Sequence, residues 1–219
     1  MRSALQRLVG PITPGTRVIL GVLTFFFILR LVGSFTRLFD TMDWFALTGP
    51  GFWKGRVWTM VTYALVPASI LELLFNWTFI VFIGCYLERV WSKGQLWVVS
   101  TLSIIVVGSV KVLLFPSNPS ILVGTAPVVF GLLAAWGWVF GHERVLFWFM
   151  WEMSIRQAAI LFIGISYVVM AFSCTGFLDA TIMACGALGG LGYVWVHQNL
   201  VRAQPSRTVT SNRIGRLEL

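Results

Sequence analysis

Two histidines, His142 and His197, and three cysteines, Cys85, Cys174 and Cys185, are the residues here best suited to nucleophilic or metal chemistry. A serine or cysteine nucleophile needs a base within hydrogen-bond reach. Both histidines stand at polar boundaries of apolar runs, and Cys185 and His197, on one helical stretch, are about 18 Å apart along a helix axis. The cysteines have neither the spacing of a zinc site nor that of a redox pair, so they read as small apolar packing residues. An acid dyad requires two neighbouring carboxyls, yet Glu72 lies within an apolar run while Asp179 sits near the end of another. This inventory offers no hydrolytic machinery, and no metal or cofactor is expected from it.

Three ionisable groups interrupt apolar segments: Arg30, Glu72 and Lys111. Such groups are costly in lipid and invite a functional reading by default. Arg30 and Lys111 have long aliphatic stems and are expected to snorkel toward the nearer interface. Glu72 has a shorter reach, which leaves it to pair with a nearby base or to sit protonated in a structural role, or to face a water-filled cavity and a ligand. A separate signal comes from Gly186 and Gly190, a Gly-x-x-x-Gly pair in a run of small residues. That spacing lets a neighbouring helix approach to backbone contact, here expected within the same chain.

Composition sets the elements that must hold these residues. The chain has 219 residues, of which 58% are hydrophobic and 11% charged, with a mean hydropathy of +0.85. Soluble domains carry charge on about a quarter of their residues. Most of this chain must therefore be solvated by lipid, and no sizeable soluble catalytic module fits. An apolar helix crosses a hydrocarbon layer of roughly 30 Å with about 20 residues. On that measure the sequence predicts six spans, over 18–39, 68–87, 95–114, 121–140, 158–173 and 178–196. The third ends at Pro116 and Pro119, which deny a helix its donors and geometry. A connector over 40–57 carries Trp44, Phe45, Phe52 and Trp53 around a Gly49-Pro50-Gly51 turn, a composition suited to a loop in the membrane interface. Residues 145–151 are apolar but too few to cross.

Six crossings put both ends on one side. With the termini inside, the inner flanks hold Arg2, Arg7, Arg17, Arg89, Lys93, Arg144, Arg156, Arg202, Arg207, Arg213 and Arg216, leaving Arg30, Arg37, Lys54, Arg56 and Lys111 outside. This bias places both termini in the cytoplasm. The net charge of +8 then reads as a topological signal, and nucleic acid is not an expected partner. No small-residue cleavage site follows the first basic residues, so the first span is expected to be retained. The organisation is a cytoplasmic segment over 1–17, a membrane domain over 18–200 and a basic, disordered tail over 201–219.

Arg56-Val57-Trp58-Thr59-Met60-Val61-Thr62-Tyr63-Ala64-Leu65 precedes Glu72-Leu73-Leu74-Phe75-Asn76 and Gly84-Cys85-Tyr86-Leu87-Glu88-Arg89. Gly124-Thr125-Ala126-Pro127-Val128-Val129-Phe130-Gly131-Leu132-Leu133 and Gly186-Ala187-Leu188-Gly189-Gly190 follow in order. Together these stretches resemble the second, fourth and sixth helices of the rhomboid intramembrane serine proteases. The resemblance implies an all-α membrane protein: a six-transmembrane-helix bundle with an interfacial loop between helices 1 and 2.

The same comparison implies a degenerate catalytic site. Ala126 stands where the family has its nucleophilic serine, and Ala187 where it has its general-base histidine. Pro127 replaces the following glycine and removes a backbone donor. Glu72 takes the place of the second-helix histidine that helps stabilise the oxyanion, where a carboxylate would repel developing negative charge. Asn76, the other side-chain donor, is retained, and Phe130 stands where many rhomboids have tyrosine. Four coordinated changes imply a catalytically inactive rhomboid, a pseudoprotease. Such proteins bind transmembrane segments of client or partner membrane proteins, admitted between the second and fifth helices. Here the cavity would be lined by Ala126, Ala187, Phe130 and Asn76, with Glu72 as an acidic point. The alternative is a small-molecule or lipid transporter or scramblase on the same fold. The expected location is a bacterial inner membrane, with a eukaryotic secretory membrane as the alternative.

Overall fold

Lipid offers no partner for a backbone N–H or C=O, so long apolar runs fold as helices that bond within themselves. The computed structural model describes residues 12–36, 44–147, 151–173 and 176–203. Helix α1 is Pro14–Thr36, and the short α2 (Gly49–Trp53) and α3 (Thr59–Thr62) lie in the connector. Helix α4 (Ile70–Phe79) passes through a π-helical turn, Ile80–Gly84, into α5 (Cys85–Val90). Then come α6 (Lys93–Leu114), α7 (Ala126–Val139), α8 (Ile155–Ser173), α9 (Gly176–Ala184) and α10 (Gly186–Ala203). Among the described residues, Pro14–Ser34, Ile70–Val90, Lys93–Leu114 and Phe177–Leu200 are long and apolar enough to cross a membrane. Ala126–Val139 and Ile155–Val168 are shorter apolar helices.

Several sequence boundaries move, each for a local reason. The fourth helix begins at Ala126, not at residue 121, because Leu122 is drawn into an antiparallel bridge with Leu47. Gly124 then turns the chain at φ +133°, a conformation glycine adopts without a Cβ clash. The chain is also not entirely helical. Around the apolar stretch 145–151, strands β1 (Arg144–Phe147) and β2 (Trp151–Ser154) pair antiparallel, with Phe147 opposite Trp151. Aromatic and β-branched residues favour such a hairpin where the run is too short for a span. In the C-terminal region the helix breaks at Cys185 and α10 continues to Ala203. Most of the expected N-terminal segment and tail, residues 1–11 and 204–219, lies outside the described residues, as do 40–43 of the connector and Cys174.

Helix α7 is the centre of the packing. Every residue from Ala126 to Ala135, and Gly137, is buried, and α6, α8 and α10 surround it. At 14 residues it is about 21 Å long, too short to cross the hydrocarbon alone. The connector is tied to this core. Leu47 and Leu122 exchange backbone bonds of 3.0 and 2.9 Å, and Gly124 N–H donates to the Tyr63 carbonyl at 3.1 Å. The Tyr63 hydroxyl in turn donates to the Ile104 carbonyl at 2.9 Å; burial pushes the phenol's pKa up and keeps it a donor. Trp44, Trp53 and Trp58 of the connector remain exposed.

Lys111 does not snorkel. It is fully buried and its ammonium lies 3.1 Å from Asp179 Oδ1, while also donating to Ser120 Oγ. Ser120 Oγ donates to the same Asp179 oxygen at 3.1 Å. The partner carboxylate sits in the first turn of α9, where the helix dipole favours negative charge. The pair thus locks α6, α9 and the segment between α6 and α7 together. Removing one member leaves the other buried and uncompensated. Lys111→Met is expected to lower stability in detergent by about 3–5 kcal/mol, and adding Asp179→Leu to recover most of that loss; thermal unfolding of the single and double variants measures both.

Candidate functional site

The site forms where three segments meet: the start of α4, the turn before α7 and the start of α10. Ser69 caps α4, its Oγ accepting the Glu72 N–H at 3.1 Å. This turn points the Glu72 side chain back along the helix toward its N-terminus. Glu72 Oε2 accepts from Ala68 N–H at 2.7 Å. Its Oε1 accepts from Thr125 N–H at 2.9 Å and from Asn76 Nδ2 at 3.3 Å. Asn76 is buried and its amide also donates to Thr125 Oγ1. The approach is close enough that a Cβ on Gly124 would lie 2.7 Å from Glu72 Oε1. Arg30 reaches the same region from α1: its guanidinium donates to the Pro67 carbonyl, and its positive charge acts on Glu72.

Ala126 and Pro127 open α7 immediately beyond Thr125, with Pro127 in the first turn. A helix starting at this depth has amide hydrogens to satisfy. Thr125 gives its hydrogen to Glu72, and Pro127 has none to offer, a substitution cheap at this position. Opposite stands α10. A Cβ on Gly186 would lie 2.7 Å from the Pro127 carbonyl oxygen, and one on Gly190 would collide with the carbonyl of Gly131. Gly189 faces Ser103 of α6 in the same way, its Cβ falling 2.7 Å from Ser103 Cα. The two starts therefore touch through Pro127 and Gly186, with Ala126 buried on one side and Ala187 half-buried on the other. Phe130 lies deeper, fully within the core.

A profile of the rhomboid domain matches residues 54–199. This chain belongs to the rhomboid family. It is thus an integral multi-pass membrane protein whose matched region runs from the connector to within the last turn of α10. No curated protein matches it.

Within this rhomboid, the positions singled out in the sequence converge: Glu72, Asn76, Ala126, Pro127, Gly186 and Ala187 share one neighbourhood. The two histidines lie elsewhere. His142 follows the far end of α7, and His197, near the far end of α10, approaches Gln95 at 2.8 Å and stacks on Tyr193. Cys85 is buried, and the Cys185 thiol donates to the Thr181 carbonyl at 3.4 Å. Sequence reasoning missed Thr125, Gly124 and Ala68, which supply the backbone around Glu72. One signal was available: Ser69 followed three residues later by Glu72 is the pattern of a capping box, although here the carboxylate bonds Ala68 and not the cap residue itself.

The glycine contacts predict opposite effects at two neighbouring positions of one helix. Gly192 has nothing within 4 Å of an added Cβ, so Gly192→Ala is expected to stabilise the rhomboid domain by roughly 0.5–1 kcal/mol through helix propensity. Gly190→Ala is expected to destabilise it by about 1–3 kcal/mol through overpacking. Unfolding midpoints in one detergent compare the two.

Proposed function

We propose that this chain is a proteolytically inactive rhomboid that binds transmembrane segments of client or partner membrane proteins. One observation carries the reading. Ala126 and Ala187 flank the Pro127–Gly186 contact, at the two helix starts where the family's nucleophile and base belong, and neither side chain can attack a carbonyl or take a proton. Thr125 brings a hydroxyl to the site, but its oxygen accepts from Asn76 and neither histidine lies at this end of α7 and α10. The backbone donor of Thr125 and the amide of Asn76 are already engaged by Glu72. A developing oxyanion would find negative charge where stabilisation requires donors.

In this reading the bundle has six membrane helices, α7 and α8 joining the four longer spans, with both termini in the cytoplasm. The α2–α3 connector rests in the outer interface on Trp44, Trp53 and Trp58. A client helix docks against the seam of α4 and α8, where Phe79 and Phe162 meet edge to face at 5.1 Å. Leu71, Leu74 and Phe75 on α4 and Ile160, Leu161 and Ile165 on α8 are exposed beside it. These side chains offer the interdigitating apolar surface by which helices associate in lipid. Glu72 contributes less than its charge suggests, because its oxygens are occupied by the protein's own N–H groups.

Two measurements test this reading in the native membrane. Photo-crosslinkers at Phe75 and Leu161 are expected to trap the same few membrane proteins, which a crosslinker at exposed Leu188 on α10 does not trap; identical capture at all three would remove the seam as the binding site. A fluorophosphonate probe is expected to leave the protein unlabelled, and site-specific labelling would overturn the claim of inactivity.

A further inference from the structure

We propose that Gln95 and His197 form a pH-sensitive clasp between the start of α6 and the far end of α10, closed while the imidazole is neutral and opened when it takes a proton. The two side chains meet at 2.8 Å, Gln95 Nε2 against His197 Nε2, across 102 residues of sequence and at the end of the bundle opposite Glu72. Their roles are set by a third group. The Ser92 N–H, which can only donate, lies 3.0 Å from Gln95 Oε1, and this bond is half of the capping box that opens α6. The amide oxygen is therefore committed, and the amide NH2 is what Gln95 turns to the ring. The same side chain also bonds the Tyr193 hydroxyl.

Beside an NH2 donor, His197 Nε2 has to accept, which places the proton of the neutral ring on Nδ1. A second proton goes to Nε2 and sets donor against donor. Turning the amide to offer its oxygen uncovers the Ser92 N–H, so no arrangement keeps both bonds. The stack of His197 on Tyr193, with centroids 5.8 Å apart, lies within α10 and survives protonation; the bond that is lost is the one joining two helices. The surrounding charges act in the same direction. Of the helices packed on α10, α7 carries no ionisable side chain, and Lys111 of α6 and Asp179 of α9 lie at the opposite end. Lys93 precedes Gln95 on α6, and Tyr193 and Arg202 flank His197 along α10. Glu88 and Glu143, the acids at this end among the described residues, are bonded to the start of α1 and to Tyr86. Histidine exchanges its proton near pH 6.5 in water, within the physiological range. The neutral ring makes the bond and the charged ring does not, so the bundle loses stability as pH falls through that range and regains it as pH rises. This inference uses no residue of the client seam and stands or falls separately from client binding.

Thermal unfolding of the purified full-length protein in detergent, at about pH 8 and about pH 5.5 on either side of the histidine range and at constant ionic strength, tests the clasp in three proteins. His197→Phe keeps an aromatic ring on Tyr193 and removes the titration, so its shift between the two pH values records every other group, His142 included. Wild type is expected to lose several degrees more than His197→Phe on acidification. Gln95→Glu can accept from Ser92 with one oxygen and from the imidazolium with the other, so its midpoint is expected to fall less than that of His197→Phe, a reversal of sign that loss of packing does not produce. Equal shifts in wild type and His197→Phe, or in wild type and Gln95→Glu, would overturn the proposal. Should either variant fail to fold, two-bond proton–nitrogen correlation spectra of the wild type, labelled at histidine, decide at the higher pH: one imidazole with Nδ1 protonated and Nε2 bare supports the clasp, and both rings in the Nε2–H form that free histidine prefers refute it.

Discussion

A helix that begins inside or against lipid exposes amide hydrogens that no water can satisfy, and the bundle meets this constraint twice with side chains of a single hydrophobic span. Glu72, near the start of Ile70–Val90, takes the Thr125 N–H that opens α7. Glu88, near its end, takes the Gly15 and Thr16 N–H groups that open α1, at 2.7 and 2.8 Å, together with the Thr13 hydroxyl at 2.6 Å. Sixteen residues of helix separate them, roughly 24 Å, comparable to the depth of the hydrocarbon layer. One helix thus caps two others, at opposite ends, with carboxyl oxygens set against the positive ends of their dipoles. In both places a glycine leaves the room: a Cβ on Gly15 would lie 2.8 Å from the Glu88 oxygens, as one on Gly124 would from Glu72 at 2.7 Å.

With its start anchored, α7 can be buried on all sides, and its neighbours are selected by size. Gly186, Gly189 and Gly190 bring α10 against the backbones of α7 and α6. Gly131 answers from α7, where an added Cβ would collide with Ser103 Oγ of α6. Association of this kind depends on close van der Waals contact, because lipid supplies little hydrophobic drive between helices. The same closeness sets the start of α10 against the start of α7, Gly186 facing Pro127.

Features encoded by local composition were legible in the sequence. Long apolar runs gave α1, the α4–α5 span and α6, and the Gly186–Gly190 spacing announced a close helix contact. Features fixed by distant partners were not. The first residue of α7 depends on Leu47 and Glu72, the latter 53 residues from the amide it binds. Lys111 read as a lone base because its partner Asp179 is 68 residues away. Glu72 stood out as an acid in an apolar run, yet its role turns on the φ angle of Gly124 and the direction of one amide. The hairpin escaped because a seven-residue apolar run carries no period long enough to separate strand from helix.

Charge pairing has an electrical side as well. A single uncompensated charge moving through the full transmembrane potential exchanges about 2.3 kcal/mol with each 100 mV, so a lone base in a bundle makes its conformation sensitive to voltage. Lys111 and Asp179, bonded at 3.1 Å, move as a neutral unit. Shifts that carry α6 and α9 together do little work against the field, whereas motions that part the two residues separate opposite charges and become field-dependent. The buried pair therefore selects which motions of this rhomboid an energised membrane can bias.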